Sequence, residues 1–502
     1  MKFMRTFSAA LAACMLTVSC MTPAAVQALD TQPLYGDVTQ DGTVDVADAV
    51  AIARYYSQDW TLQITDTGRK MGDVNLDGNT DDKDLKMVLE YIARKRTELG
   101  VQEEEMEQTY NAVNLTDAVK AGTSEKLDAD DVFKASQMKL TVDLLKGAAK
   151  DPESENKDLL ISPLSVSQAL AMTANGAKGE TLAEMEKLLG DTLDIYKLNR
   201  YYSGYTDSLT KEQDAKLHLA NSLWVRNDES LIQVPESFLK TAKDYYHADA
   251  FSAPFDQSTV KDVNNWVNYH THEMIPELIK QMDPNWIMLL INALAFEAEW
   301  SNPYDEYHIS PQVFHAYDGD TTVEMMRSNE YRYLEDENAT GFIKQYKGGE
   351  YSFAAILPNE SLSVYDYIEK MTPESLQNML ENQSNEVVWT LLPKFKYNYS
   401  ITMNEMLKNL GMKNALSSGA DLTGLNSLGN SYIDLVLHKT FIQVDERGTK
   451  AGAATLVAMA AGAALEPEPK YVTLDRPFIY AIIDRETNLP VFIGTVQHPT
   501  EA

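Results

Sequence analysis

Residues 445–478 read DERGTKAGAATLVAMAAGAALEPEPKYVTLDRPF. A short acidic lead ending in glycine opens onto a tract of small residues. A charged spacer and an apolar run follow. No charge falls between Lys450 and Glu466. Left exposed, such a tract is an aggregation hazard, because it joins apolar residues to low net charge without proline. A chain that keeps it needs somewhere to put it, and the natural destination is an extra strand in a sheet.

The rest of the chain sets the context. Its 502 residues suggest more than one domain. A formal net charge of −32 argues against a nucleic-acid backbone as partner, which needs a basic face. Residues 1–28 read as a signal peptide. Lys2 and Arg5 precede a short apolar core from Phe7 to Val18, and Val26 and Ala28 form a small-residue cleavage site. The core is too short to span a bilayer. Val18-Ser19-Cys20 offers lipidation at Cys20 as the alternative to cleavage after Ala28. Both cysteines, Cys14 and Cys20, precede Ala28, so the secreted chain would carry no thiol chemistry.

A repeat lies between residues 34 and 94. GDVTQDGTVDVADAVAIARYY begins at Gly36 and GDVNLDGNTDDKDLKMVLEYI at Gly72. Oxygen-bearing side chains recur at loop positions one, three, five, nine and twelve. They are Asp37, Thr39, Asp41, Asp45 and Asp48 in the first unit, and Asp73, Asn75, Asp77, Asp81 and Asp84 in the second. Gly42 and Gly78 take the sixth position, where the loop turns sharply. Calcium needs six to eight hard oxygens, and this spacing wraps them around one ion per loop. A helix is predicted after each loop, with Val46, Ala49, Val50 and Ala53 on one apolar face and Leu85, Val88, Leu89 and Ile92 on the other.

Each loop ends in Asp, and only an exiting helix follows. The duplicated unit, over residues 33–97, resembles a dockerin, the module that plugs into cohesins on a cellulosome scaffold. The resemblance implies two calcium ions. It also implies that positions ten and eleven, Val46-Ala47 and Asp82-Lys83, help choose the cohesin. The two pairs differ in polarity, which predicts one binding orientation rather than two. So small a core is expected to depend on its metal.

Residues 98–115, acidic around Glu103-Glu104-Glu105, read as a linker. Residues 116–502 mix helix and strand patterns throughout, so the chain is α+β and multi-domain. ISPLSVSQALAMTANGAKGETLAEM from Ile161, ANSLWV from Ala220, VNNWVNYHTHEMI from Val263 and INALAFEAEW from Ile291 come first. LPKFKY, GMKNAL, GADLTGL and VTLDRPFIYAI from Val472 complete the order. These segments resemble serpins, in family order across the whole domain. The resemblance implies three β-sheets with about nine helices and an exposed reactive loop.

It also implies a mechanism without catalytic residues. The loop is bait for a serine protease, and once cut it inserts into the large sheet and distorts the attached enzyme. Glu446 and Gly448 match the hinge, and Thr449 is the first inserted position. Side chains alternate along a strand. If Thr449 faces inward, so do Ala451, Ala453, Thr455, Val457, Met459 and Ala461, while Lys450, Gly452 and Ala454 face outward. None of the inward residues is charged, so the hinge is expected to insert. Ser162, Ser165, Asn292 and His438 match the shutter that must part, and Trp300 matches the breach at the top of the sheet.

The family's usual fourteen residues beyond Gly448 imply cleavage at Gly462-Ala463; Ala461-Gly462 and Ala463-Ala464 are as small, and Met459 or Leu465 would require a shifted register. Small residues there suit an elastase-like or subtilisin-like serine protease and not a trypsin-like one, since no Arg or Lys lies near. The expected protein is a secreted, cellulosome-associated inhibitor, monomeric apart from its cohesin, with no membrane span and no nucleic-acid partner. A non-inhibitory serpin-fold binding protein and a cellulosomal hydrolase using paired carboxylates are the competing readings.

Overall fold

The computed structural model describes residues 34–56, 64–76, 78–94, 99–100, 110–154, 156–210, 215–283, 285–429, 431–449 and 469–499. The chain divides into two compact units, Met1–Glu105 and Met106–Ala502. No described helix is long and apolar enough to cross a membrane.

The smaller unit holds helices Val46–Tyr56, Asp66–Gly72 and Asp82–Ile92. Asp81 caps the last of these in a reciprocal box with Asp84, so a residue expected to bind metal also starts the helix. Val38, Ala49, Ile52, Val74, Met87 and Val88 form the core. The predicted faces are partly overturned here. Val46, Val50 and Leu89 are 60, 50 and 46 % exposed. Helical spacing fits two adjacent stripes on the first helix, and only packing decides that Ala49 and Ile52 turn inward.

The larger unit carries nine α-helices and three sheets among the described residues. The seven-stranded sheet runs Val113–Asn114, Asp249–Ala253, Ala215–Arg226, Met288–Glu299, Gly448–Thr449, Leu437–Val444, Phe395–Thr402. Leu437–Val444 alternates half-buried and buried residues, as a strand with one face on the core does. In the six-stranded sheet, Tyr351–Pro358 and Phe478–Asp484 are buried at every residue. That matches their continuous apolar sequence and coverage on both faces. The four-stranded sheet runs Lys470–Thr473, Val388–Pro393, Gly319–Glu330, Ile309–Ala316.

One face of the large sheet lies on the main core, and helix Gln257–His270 covers part of the other. Val263 and Trp266 of that helix cluster with Trp224, Phe251, Ala293 and Ala295 of the sheet. Residues 110–114, which composition assigns to the linker, lie on this unit. Val113 and Asn114 pair with Ser252 and Phe251. Tyr110 packs edge-on to Phe251, and the Ala112 amide donates to Asp262 on the helix at 2.9 Å.

Candidate functional site

The two central strands of the large sheet, Met288–Glu299 and Leu437–Val444, run parallel, and the described residues connect them at their two ends. A bridge joins Leu290 to Val436 at one end. At the other, Gly448 and Thr449 are wedged between them. Gly448 pairs with Glu299, and Thr449 pairs with Ala298 on one side and Val444 on the other. Thr449 is 2 % exposed, and its hydroxyl meets the Tyr346 hydroxyl at 2.5 Å. A Cβ at Gly448 would come within 2.0 Å of the Ala298 carbonyl oxygen, so the close strand approach requires glycine.

Local turn chemistry delivers the chain to this wedge. One Asp445 carboxylate oxygen accepts from the amides of Arg447 and Gly448, an Asx turn. The Trp300 indole Nε1 donates to the Asp445 carbonyl at 2.9 Å. Its amide donates to Arg447, and the Tyr304 amide donates to Glu446. Trp300 stacks on Tyr346 at 4.5 Å between centroids. Glu446 pairs with Lys394 at 2.8 Å, and Lys394 also reaches Glu324 at 2.9 Å. Burial opposes the Lys394 charge, but the two carboxylates outweigh it and raise its pKa. Below them Lys344, 2 % exposed, donates to Glu330 at 2.8 Å and lies over the Tyr304 ring. LPKFKY, which marks family order in the sequence, carries this lysine partner of the hinge, but pattern alone gave Lys394 no role.

Two residues above the Leu290–Val436 bridge, both strands are pinned to one helix start. Ser162 caps helix Pro163–Ala174 through the Ser165 amide. The Ser162 amide donates to His438 Nε2 at 3.1 Å, which leaves the ring proton on Nδ1. Burial pushes the His438 imidazole down to about 4, against a smaller pull from the Leu160 backbone. Ser165 donates to Asn292, and Asn292 donates to Asn221. Asn221 in turn donates to Gln168 at 3.1 Å and to the Tyr246 carbonyl at 3.2 Å. So Ser162, Ser165, Asn292 and His438 do come together. Asn221 and Gln168 join them, and sequence reasoning missed both because a single amide in a strand or helix carries no local signal. Ala451, Ala453, Ala454, Thr455, Gly462 and Ala463 lie outside the described residues.

The loops of the small unit are built alike. Asp48 accepts from the amides of Thr39 and Asp45, and Asp84 accepts from those of Asn75 and Asp81. Both carboxylates are fully buried, and burial holds Asp84 above the usual carboxylate range. Asp37 accepts from Asp41 and Gly42, and Asp73 from Gly78. Gly42 and Gly78 have φ of +91° and +95°, a turn that favours glycine. The donors are all hard oxygens, which fits calcium. Among the described residues, no three His, Cys, Asp or Glu side chains converge as an ion would draw them. Asp77 lies outside the described residues, as does the side chain of Asp82. Val46, Ala47 and Lys83 are exposed.

Comparison with known proteins agrees with this geometry. Residues 135–499 match the family Serpin (serine protease inhibitor), and residues 35–93 match the Dockerin type I domain. An uncharacterized serpin-like protein of Thermococcus kodakarensis is 31% identical over 386 residues, covering 74% of this chain and 88% of that protein. The thermophilic serpin tengpin in its native state superposes with a TM-score of 0.73 at 45% identity, covering 77% of this chain and 99% of that one. In its latent state the TM-score is 0.66 at 43% identity, covering 75% and 100%. The chain belongs to the serpin family and carries a dockerin type I domain ahead of its serpin domain.

Proposed function

We propose that this chain is a secreted suicide inhibitor of serine proteases, anchored by its dockerin to a cohesin on a cellulosome scaffold. The observation that carries the reading is the two-residue strand Gly448–Thr449, seated at the top of a seam between Met288–Glu299 and Leu437–Val444 that no other described strand enters. Its register can be continued. Ala451 then falls between Phe296 and Ile442, Ala453 between Leu294 and Thr440, and Thr455 between Asn292 and His438. Val457 arrives at the level of the Leu290–Val436 bridge and takes its place. Every inward residue on this path is uncharged, and the one hydroxyl at mid-depth meets the polar latch.

The chemistry belongs to the protease. Its serine oxygen attacks the Gly462 carbonyl carbon, the bond to the Ala463 nitrogen breaks, and the amine leaves with a proton. Gly462 is then esterified to the enzyme. The freed segment completes the sheet and drags the enzyme before water cleaves the ester. In this reading Glu446, Gly448 and Thr449 are the hinge, Ser162, Ser165, Asn292 and His438 the latch, and Trp300 the clamp at the breach. Strain released as the sheet gains its strand drives the step in this reading, and the inhibitor needs no catalytic residue of its own.

At the dockerin, Asp37, Thr39, Asp41, Asp45 and Asp48 would hold one calcium, and Asp73, Asn75, Asp77, Asp81 and Asp84 the second. The ions would fix the loops and the helix starts that follow them. Exposed Val46, Ala47 and Val50 on one helix face cohesin differently from Lys83, Lys86 and Leu89 on the other, which supports a single orientation. Mixing the full chain with an elastase-type protease should give a complex that survives boiling in detergent, at the summed mass of both partners. Cleavage of the loop without such a complex would assign the chain to the non-inhibitory, binding-protein branch.

A further inference from the structure

The outer face of the four-stranded sheet carries an aromatic pair that the core does not use. Trp389 and Tyr471 are cross-strand neighbours in the parallel pair Val388–Leu391 and Lys470–Thr473. They are 49 and 66 % exposed, with ring centroids 5.6 Å apart in an edge-to-face contact. Asn329 pairs with Trp389 on the next strand, and Arg327 with Leu391. Asn329 and Arg327 are both exposed. The inward residues of the same strands, Val388, Thr390 and Val472, are at most 1 % exposed. The sheet is therefore well packed beneath, and its buried face is closed without the two rings. Tryptophan, tyrosine and arginine are the residues most enriched at binding hot spots. Two aromatic side chains standing in water on a rigid sheet are an interaction surface.

We propose that Trp389 and Tyr471, with Arg327 at their margin, form a second contact for the body of the target protease, beside its active-site cleft. This rests on the reading of the preceding segment as bait. The choice of occupant follows from where the chain leads. Lys470–Thr473 directly continues the bait segment, and Tyr471 lies on the side of the bond that the protease releases first. Lys470 is the seventh residue after Ala463, so the two are at most about 25 Å apart even when fully extended. A protease of roughly 230 residues has a radius of gyration of about 17 Å. The pair therefore lies within reach of the protease body whenever its cleft holds the bond. The contact forms in the encounter complex, before cleavage, so it sets the rate and selectivity of association rather than the insertion step. Small residues at Gly462-Ala463 offer a protease little side-chain surface, and a second contact supplies the specificity they lack.

The test uses the full chain and an elastase-type serine protease whose nucleophilic serine is replaced by alanine, so that binding is read without cleavage or insertion. The expected result is that the full chain binds at least tenfold tighter than a synthetic peptide of residues 450–468. The double variant Trp389→Ala/Tyr471→Ala should lose that advantage while keeping the wild-type thermal unfolding curve. Trp389→Phe alone should retain most of it, which guards against a folding defect. Equal affinity of wild type and double variant, or a full chain that binds no tighter than the peptide, would overturn the proposal. Tighter binding by the double variant would also overturn it, since it would mean that the pair is covered by the chain's own bait segment. Failure of the inhibitory reading is scored separately, by active protease and wild-type chain giving no detergent-stable complex.

Discussion

Thr455 offers the sharpest test of the insertion path. Continuing the register of Thr449 on Ala298 and Val444 sends it inward between Asn292 and His438. Those side chains are already engaged with Ser165, Asn221 and Ser162. Thr455→Lys would carry an ammonium into this level. A buried lysine limits its cost by giving up its proton, which near pH 7.5 takes about 4 kcal/mol from a normal pKa. If half of that is felt at the rate-limiting step of insertion, insertion slows about thirty-fold. Hydrolysis of the acyl-enzyme is unaffected. An inhibitor that loses about one molecule in twenty to turnover would then lose more than half. Titrating a fixed amount of elastase-type protease and measuring residual activity gives this stoichiometry, and a denaturing gel gives the ratio of cleaved chain to complex. Thr455→Val, which keeps the shape and removes one hydrogen bond worth about 1 kcal/mol, should raise the ratio only slightly. Lys450→Gln, on the outward parity, should leave it unchanged. Wild-type stoichiometry in Thr455→Lys, or equal damage from Lys450→Gln, would refute the register.

Three further expectations follow from the latch and the dockerin. His438, depressed to about 4 in the fold against about 6.5 unfolded, stabilises the native state fully above pH 6.5. That contribution drains away as pH falls towards 4 and amounts to roughly 3 kcal/mol. Buried Asp158 and Asp484 have raised pKa values and act in the opposite sense. The measurement is therefore the difference in urea midpoint between wild type and His438→Gln at pH 7.5 and 4.5, and a pH-independent difference would exclude the latch as its source. A calcium chelator should abolish the unfolding transition of residues 33–97 and leave that of the serpin domain in place. Asp48→Ala, which orphans the amides of Thr39 and Asp45, should do the same at saturating calcium; calorimetry of the full chain distinguishes the two transitions. Val50→Asp should weaken cohesin binding at least tenfold and Lys86→Glu much less, read by titration calorimetry, and equal losses would mean that both orientations are used.

Much of this molecule is legible in its sequence because the signals are local. The tandem loops place oxygen donors at fixed short spacings, and the glycines at the sixth position have the backbone angles that the motif demands. Strand parity from Gly448 onward needs only period two, and buried Thr449 fits it. The order of the quoted segments was enough to point to three sheets and about nine helices. Sequence by itself therefore determined the two modules and the parity that turns Thr449 inward.

Tertiary structure decided which groups meet across long separations. Ser162 finds His438 276 residues away, and Ser165 reaches Asn292 127 residues on. The Glu446–Lys394 pair and the stack of Trp300 on Tyr346 join residues just beyond the ends of different strands, and no periodicity encodes such partners. The same holds for Val113–Asn114, part of a segment that is polar and acidic overall and yet the edge strand of the large sheet, because backbone pairing is indifferent to side-chain hydropathy. It holds for Val50 and Trp389, apolar by composition and yet exposed. Period and parity specify that a residue has a face, but only the packed neighbours decide whether that face meets the core, water or a partner.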